Sequence, residues 1–198
     1  HITGNTVIDA LLDVAGRDLP CAFPRPGRRL VLVTAHRREN FGAPLNNICR
    51  AIKTLHDSHT DVDFVYPVHP NPNVRGPVYQ NLADLERLHL CDPVNYLELT
   101  ALMKASTFVL TDSGGIQEEA PALGKPVLVL RSETERPEAV AAGVAKLVGT
   151  DTDTIIAECS RLLTDPVAYA AMARGVSPYG DGKGSARIAS LCKTFLKA

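Results

Sequence analysis

The sequence predicts an α/β protein built on a doubly wound parallel sheet. Six short apolar segments, several rich in β-branched residues, alternate with segments of helical periodicity. The apolar segments are continuous rather than alternating, which is typical of strands buried on both faces. The chain has 198 residues, so at roughly 150 residues per domain it forms one large domain, or one domain with added helices.

The predicted strands are short and regularly spaced. The first is a good example, because Leu30-Val31-Leu32-Val33-Thr34 contains no polar residue before its last position. In chain order the predicted strands are residues 30–34, 63–68, 88–91, 108–111, 126–130 and 145–148.

Helical periodicity fills the intervals. Leu45, Ile48, Ile52 and Leu55 step by three and four, and Pro44 occupies a favoured first-turn position. A short helix over residues 5–14 is followed by a Pro- and Gly-containing linker over residues 15–29. The other predicted helices are residues 96–104, 116–123, 137–142, 152–163 and 185–197.

Composition excludes several function classes. The net charge is −1, so there is no overall positive field to hold a nucleic acid or an anionic membrane. No apolar run approaches the roughly 20 residues of a membrane span. Five cysteines without a C-x-x-C pair indicate a reducing compartment, and we expect the cytoplasm. No histidine pairs with cysteine or carboxylate at metal-ligand spacing, so we expect no metal.

Polar loops follow four of the predicted strands. In a parallel sheet these loops meet at the carboxyl edge, where ligands bind. Each loop read alone is also consistent with a solvated turn or a surface ion-pair cluster. The four loops are residues 34–42, 67–75, 111–115 and 131–138.

The loop Thr111-Asp112-Ser113-Gly114-Gly115 carries the sharpest signal, since it opens a predicted helix. Successive glycines would let the backbone fold into a nest of N–H groups for a diphosphate, with Ser113 adding a hydroxyl. One carboxylate in the following turn, from Gln117-Glu118-Glu119, could accept hydrogen bonds from ribose hydroxyls. A glycine turn with acidic capping is the alternative.

The other loops contribute cations and imidazoles. His36 lies beside Arg37, and a histidine can protonate a departing phosphate while arginine binds its oxygens. His69 lies in a proline-stiffened loop. Arg136 precedes Pro137 at a predicted helix start and could reach across a cleft to phosphate.

Taken together, the motifs closely resemble the C-terminal domain of the non-hydrolysing UDP-N-acetylglucosamine 2-epimerases. The resemblance spans essentially the whole chain. Its segments are TGNTVIDA (3–10), TAHRREN (34–40), YPVHPNPNVR (66–75), TDSGGIQEEAP (111–121), TERPE (134–138) and PYGDG (178–182).

The resemblance implies a fold and an activity. Members have two Rossmann-like domains facing each other, as in GT-B glycosyltransferases, and commonly form a homodimer. They interconvert UDP-GlcNAc and UDP-ManNAc by eliminating UDP to a 2-acetamidoglucal and adding it back, with no metal or nicotinamide cofactor. We therefore expect an interdomain helix and linker at 1–28, a UDP-binding Rossmann-like domain at 29–184, and a helix at 185–198 that crosses to an N-terminal domain.

The resemblance also implies residue roles. His36 matches the histidine that assists phosphate departure. Binding of UDP is expected from Ser113, Gly114, Gly115, Glu119, Arg136 and the backbone near Val94. Arg37 and His69 match a second UDP-GlcNAc site that activates bacterial members. Leu99 stands where some members are expected to have an aromatic ring.

The chain begins at His1 without a methionine, which suggests an internal cut. The carboxylates for proton transfer at C2 are expected in the missing N-terminal domain, so we expect this chain alone to bind UDP weakly and not to epimerise. The alternatives are the nucleotide-sugar-binding half of a GT-B glycosyltransferase, a hydrolysing epimerase, or a stand-alone UDP-sugar-binding regulatory module.

Overall fold

A computed structural model describes residues 1–23 and 25–196. Its strands are β1 (Arg29–Thr34), β2 (Val62–Pro67), β3 (Leu88–Cys91), β4 (Phe108–Thr111), β5 (Val127–Val129) and β6 (Ala145–Leu147). Its helices are α1 (Thr6–Ala15), α2 (Ala43–Ser58), α3 (Pro72–Leu82), α4 (Tyr96–Ala105), α5 (Gly114–Ala122), α6 (Pro137–Ala141), α7 (Thr152–Thr164), α8 (Pro166–Met172) and α9 (Gly184–Phe195).

The six strands form one parallel sheet in the order β3-β2-β1-β4-β5-β6. The order runs outward from β1 to β3 on one side and from β4 to β6 on the other. The strand order therefore reverses between β1 and β4, where Val31 is paired with Phe108. A doubly wound sheet opens a crevice at this switch point, beyond the carboxyl ends of the two strands. The predicted fold class is confirmed, and the sheet has Rossmann-like order.

Two apolar layers explain why the strands are continuous apolar runs. Val31 and Val33 belong to the core cluster shared with α2, α3 and α7. Leu30 and Leu32 point to the other face and pack with residues of α1, α4 and α5. Because successive side chains point to opposite faces, a strand covered on both faces must be apolar at every position.

Two helices were not predicted. The prolines of residues 67–75 indicated a stiff loop, but α3 begins at Pro72, where a missing N–H costs nothing. The side chain of Asn71 caps this helix by accepting from the N–H of Asn73. Asp165 caps α8 in the same way, by accepting from Val167 and Ala168. Both starts combine an Asx cap with proline at the first turn.

The ends of the chain agree with the predicted elements. The described residues of the linker contain no helix or strand between Ala15 and Arg29. The last helix ends at Phe195, and residues 197–198 of the predicted final helix lie outside the described residues. Within the described part of the chain, no helix is long and apolar enough to cross a membrane. All five cysteines are free, and Cys49 and Cys159 are buried.

Candidate functional site

A cavity of about 270 Å³ lies at the switch point of the sheet. His36, from the loop after β1, and Ser113 and Gly115, from the turn after β4, line the same cavity. The two segments are far apart in sequence, and the strand order alone brings them together. An imidazole therefore faces the start of a helix across a ligand-sized space.

Hydrogen bonds with buried side chains fix the backbone of the loop that carries His36. Tyr66 is buried, and its hydroxyl donates to the carbonyl oxygen of Ala35 at 2.6 Å. Burial raises the pKa of Tyr66 well above its usual range, so the hydroxyl stays a donor. The backbone N–H groups of His36 and Arg37 both donate to Asp112 Oδ2 at 2.8 Å. Asp112 immediately precedes Ser113, so it links the two loops.

The glycine turn is the first turn of α5 rather than a nest. Helix α5 begins at Gly114, and neither Gly114 nor Gly115 has a positive φ. In place of the expected nest, the unpaired amides are those found at every helix N-terminus. Ser113 occupies the N-cap position, but its side chain makes no capping hydrogen bond. The amides and the helix dipole still favour an anion here.

The two glycines have different surroundings. A Cβ on Gly114 would lie 3.0 Å from Glu135 Oε1 and 3.4 Å from Arg37 Nη2. A Cβ on Gly115 would meet only the Ser113 hydroxyl, at 4.0 Å, so this residue lies open to the cavity. Gly114 thus lets the loop after β5 approach closely, and Gly115 lets a ligand reach the amides.

The two glutamates of α5 have different partners. Glu119 lines the cavity, is 7% exposed, and accepts from the Tyr96 hydroxyl at 3.1 Å. Burial raises the pKa of Glu119, the hydrogen bond from Tyr96 opposes this, and the charge of Glu118 adds to it. Glu118 instead accepts from Asn5 and from Arg136. Glu119 is therefore the carboxylate of this turn that faces the cavity.

Two other predicted residues line the cavity. Val94 forms part of an apolar wall together with Pro93 and Leu99. The ring of His69 stacks on that of His36, with centroids 5.5 Å apart and planes 14° apart. The Nδ1 atom of His69 accepts from the N–H of Asn71 at 3.1 Å. The cavity lining thus combines apolar side chains with the two imidazoles, Ser113 and Glu119.

Three predicted residues, Gly114, Arg37 and Arg136, lie outside the cavity lining. The guanidinium of Arg136 is paired with Glu118. The guanidinium of Arg37 is 3.0 Å from Glu135 and lies beside Gly114. Their roles in ligand binding remain predictions.

Sequence reasoning assigned no role to Asp112 or Tyr96. Asp112 was visible inside the 111–115 motif, and its buried position at the end of β4 was implied by the strand. Tyr96 begins α4, and its sequence carries no signal that its hydroxyl would reach α5. Across the residues that the structure describes, no group of three or more His, Cys, Asp or Glu could hold a metal ion.

Comparison with known proteins adds an independent line of evidence. The family model for UDP-N-acetylglucosamine 2-epimerase matches residues 1–193. UDP-N-acetylglucosamine 2-epimerase of Escherichia coli K12 is 50% identical over 203 residues, covering 97% of this chain and 54% of the relative. The Bacillus subtilis enzyme of the same name is 48% identical over 189 residues, covering 94% and 50%.

A solved structure is similar throughout. UDP-GlcNAc 2-epimerase from Neisseria meningitidis, bound to UDP-GlcNAc, is 44% identical, with a TM-score of 0.88 over 99% of this chain and 55% of that one. The chain spans about half the length of the relatives that it matches.

Proposed function

The chain belongs to the UDP-N-acetylglucosamine 2-epimerase family, and from that premise we propose that it is the UDP-binding half of an enzyme interconverting UDP-GlcNAc and UDP-ManNAc. The observation that carries the proposal is the shared cavity of His36 and the Ser113–Gly115 turn at the switch point. The resemblance seen in the motifs is confirmed at the level of the family. The activity, the substrate and the partner domain are proposals.

The cavity supports one orientation of the nucleotide. The diphosphate would bind the first-turn amides of α5 and the Ser113 hydroxyl, where the helix dipole stabilises negative charge. The ribose hydroxyls would donate to Glu119. The uracil would lie against Pro93, Val94 and Leu99, the apolar wall. In this orientation the charged and polar groups of the ligand contact polar residues of the lining, and the base contacts the apolar ones.

His36 would act on the leaving phosphate. As the C1–O bond breaks, its electron pair stays on the phosphate oxygen, and His36 donates a proton there. The C2 proton passes to a base in the other half of the protein, and a 2-acetamidoglucal forms. When UDP adds back at C1, the phosphate oxygen returns its proton to His36, and C2 takes a proton on the face opposite to the one that lost it, which gives UDP-ManNAc. No metal or nicotinamide is part of this proposal.

Two features support a second half. The cavity of about 270 Å³ lies just below the roughly 300–1,000 Å³ of complete ligand sites, as expected for one wall of a cleft. Helix α9 exposes Ile188 and Phe195, and an apolar hollow of about 630 Å³ lies along its last turns. We propose that residues 1–28 and 185–198 connect the 29–184 domain to an N-terminal domain, against which α9 packs.

The remaining assignments are extensions of the same proposal. Arg136 would leave Glu118 to bind the diphosphate. Arg37 and His69 would contribute to a second, activating UDP-GlcNAc site. A homodimer and a cytoplasmic location are proposed for the whole protein.

Binding is tested with a pair of matched glycine variants. Gly115→Ala places a methyl group at the cavity, whereas Gly76→Ala adds one on the exposed side of α3, with no atom within 4 Å. Both replace a helical glycine by alanine, so neither should lower stability. We expect UDP affinity, measured by calorimetry, to fall about tenfold in Gly115→Ala only. Equal affinity in both variants would contradict the assignment of the turn.

The activity is tested on the full-length enzyme with UDP-GlcNAc as the only substrate. Formation of UDP-ManNAc supports an epimerase, because no acceptor is present. Turnover only after an acceptor is added would indicate a glycosyltransferase, and release of free ManNAc and UDP would indicate a hydrolysing epimerase. Turnover by residues 1–198 alone would contradict the division of the site between two halves.

A further inference from the structure

The two carboxylate oxygens of Asp112 have different surroundings. The residue is fully buried at the end of β4. Its Oδ2 accepts from the N–H groups of His36 and Arg37 at 2.8 Å and from Asn40 Nδ2 at 3.0 Å. Its Oδ1 has no hydrogen-bond partner among the residues that the structure describes. It lies 3.6 Å from Nδ1 of His36.

A buried carboxylate oxygen without a donor is unfavourable. The separation of 3.6 Å is longer than a hydrogen bond, but only by a few tenths of an ångström. Asp112 is held by three donors, whereas the side chain of His36 is 40% exposed and can rotate. A small rotation of the ring would therefore satisfy Oδ1. Catalytic hydrogen bonds are commonly long before the ligand binds.

We propose that Asp112 is a positioning residue for His36, with Oδ1 accepting the Nδ1–H of the ring. The effect of this contact on the reaction rests on the proposed function, whereas the existence of the contact does not. With its proton on Nδ1, the neutral ring presents a bare Nε2 to the cavity. The protonated ring presents an Nε2–H, which is the donor that a departing phosphate requires.

The geometry around the ring agrees with this assignment. His69 stacks on His36 at 5.5 Å. The Nδ1 of His69 accepts from a backbone N–H, so its proton must be on Nε2 when the ring is neutral. The two stacked rings are therefore expected to carry opposite tautomers, each set by its own Nδ1 partner.

The tautomers are measured directly by nitrogen NMR. The 198-residue chain is labelled with ¹⁵N-histidine, and the signals are assigned with His36→Gln and His69→Gln variants. At a pH where both rings are neutral, we expect protonated Nδ1 in His36 and bare Nδ1 in His69. A bare Nδ1 in His36 overturns the proposal without any change to Asp112.

Asp112→Asn tests what the carboxylate does. The amide oxygen would keep the three N–H donors of Oδ2, so its NH₂ group would donate to Nδ1 of His36. The tautomer of His36 should reverse, and UDP affinity should change less than threefold. In the full-length enzyme, kcat should fall by about 10²- to 10⁴-fold while KM stays within about threefold, the pattern of a wrongly oriented histidine.

Asn40→Ala is the matched control. It removes a donor to Oδ2, together with the hydrogen bond from Asn40 Nδ2 to the carbonyl oxygen of Leu130, and leaves Oδ1 untouched. If Asp112 only braces the loop, both variants should behave alike. If it positions His36, the tautomer reverses in Asp112→Asn alone, and any other result overturns the proposal. If the tautomer reverses in Asp112→Asn but the wild-type full-length protein does not epimerise UDP-GlcNAc, the proposed function is contradicted and the contact stands.

Discussion

Two fully buried aspartates lie at opposite edges of the same sheet. Asp63 lies at the start of β2, at the amino edge, and Asp112 lies just after β4, at the carboxyl edge. Asp63 interrupts an otherwise apolar strand, whereas Asp112 begins the polar loop that follows one. Their partners differ, and the difference separates a group that stabilises the fold from one that remains available for chemistry.

Asp63 is completely satisfied by one arginine. Oδ1 accepts from Arg25 Nη2 at 2.8 Å, and Oδ2 accepts from Arg25 Nε at 3.1 Å and from its backbone N–H at 3.3 Å. Burial by itself raises the pKa of Asp63, but the hydrogen bonds and charges of Arg25 and Arg28 outweigh it and lower the pKa. This carboxylate connects the linker to the sheet.

Among the described residues, no guanidinium donates to Asp112. Its donors are two backbone N–H groups and one amide, all on Oδ2. Glu119 is similar, because it is buried and accepts a hydrogen bond from the Tyr96 hydroxyl rather than from a guanidinium. At the carboxyl edge, buried carboxylates are thus left with acceptor capacity. A ligand or a histidine can use that capacity, at a cost in stability.

The largest effect is expected on breaking the amino-edge pair. Arg25→Ala leaves Asp63 buried with its main donors removed, so the free energy of unfolding should fall by about 3 kcal/mol. Urea denaturation measures this. UDP affinity should not change, because Arg25 lies at the other edge of the sheet.

The control removes an arginine from an exposed pair. Arg17 and Asp13 form an ion pair with both side chains more than half exposed. Arg17→Ala should therefore cost less than about 1 kcal/mol. An equal loss in the two variants would show that burial does not strengthen the Asp63 pair.

An intermediate effect of opposite sign is expected at Glu119. Its folded-state pKa is raised above 4.5, so the folded state holds the proton more tightly than the unfolded state. Its ionisation therefore lowers stability as the pH rises through this window. Glu119→Gln should raise the free energy of unfolding by about 1 kcal/mol at pH 7, and the gain should vanish below about pH 4.

The same variant should lose ligand affinity. An amide accepts ribose hydroxyls less well than a carboxylate, so UDP binding should weaken about tenfold. Glu86→Gln, at an exposed position, serves as the control and should change neither quantity. A destabilised Glu119→Gln protein at pH 7 would mean that Glu119 stabilises the fold as Asp63 does.

The smallest effect is expected at the apolar wall. Leu99 lines the cavity where the uracil is proposed to lie. Leu99→Phe should tighten UDP binding about two- to tenfold through base stacking, which is worth about 0.5–1.5 kcal/mol. Stability should change little, and pyrophosphate affinity should be unchanged because pyrophosphate has no base. Equal gains for both ligands would place the base elsewhere.

Local patterns were sufficient for most elements. The apolar runs located all six strands to within two residues at each end, because burial on both faces is encoded residue by residue. The periodicity of residues 45–55 located α2, because a helix buried on one face repeats its apolar residues every three or four positions. Helix α3 escaped prediction because its prolines have the same local appearance in a loop as in a first turn.

The site required more than local patterns. The 111–115 motif and His36 were recognisable from composition and resemblance. The resemblance also named Glu119, whereas the chemistry of the turn alone left open which carboxylate faces the cavity. Which carboxylate faces the cavity depends on which one accepts the hydrogen bonds of Arg136 and Asn5. Local sequence also indicated a nest where the structure has a helix start, since both present unpaired amides.

The amino-acid order alone determined the strands, the polar loops that follow them and the family. The tertiary structure decided that β1 and β4 are neighbours, and therefore that His36, Asp112 and the α5 N-terminus meet at one cavity. The physical reason is that these determinants act over different distances along the chain. Burial and periodicity act over a few residues, whereas strand order is set by which strands pair across the sheet, and no short segment contains that information.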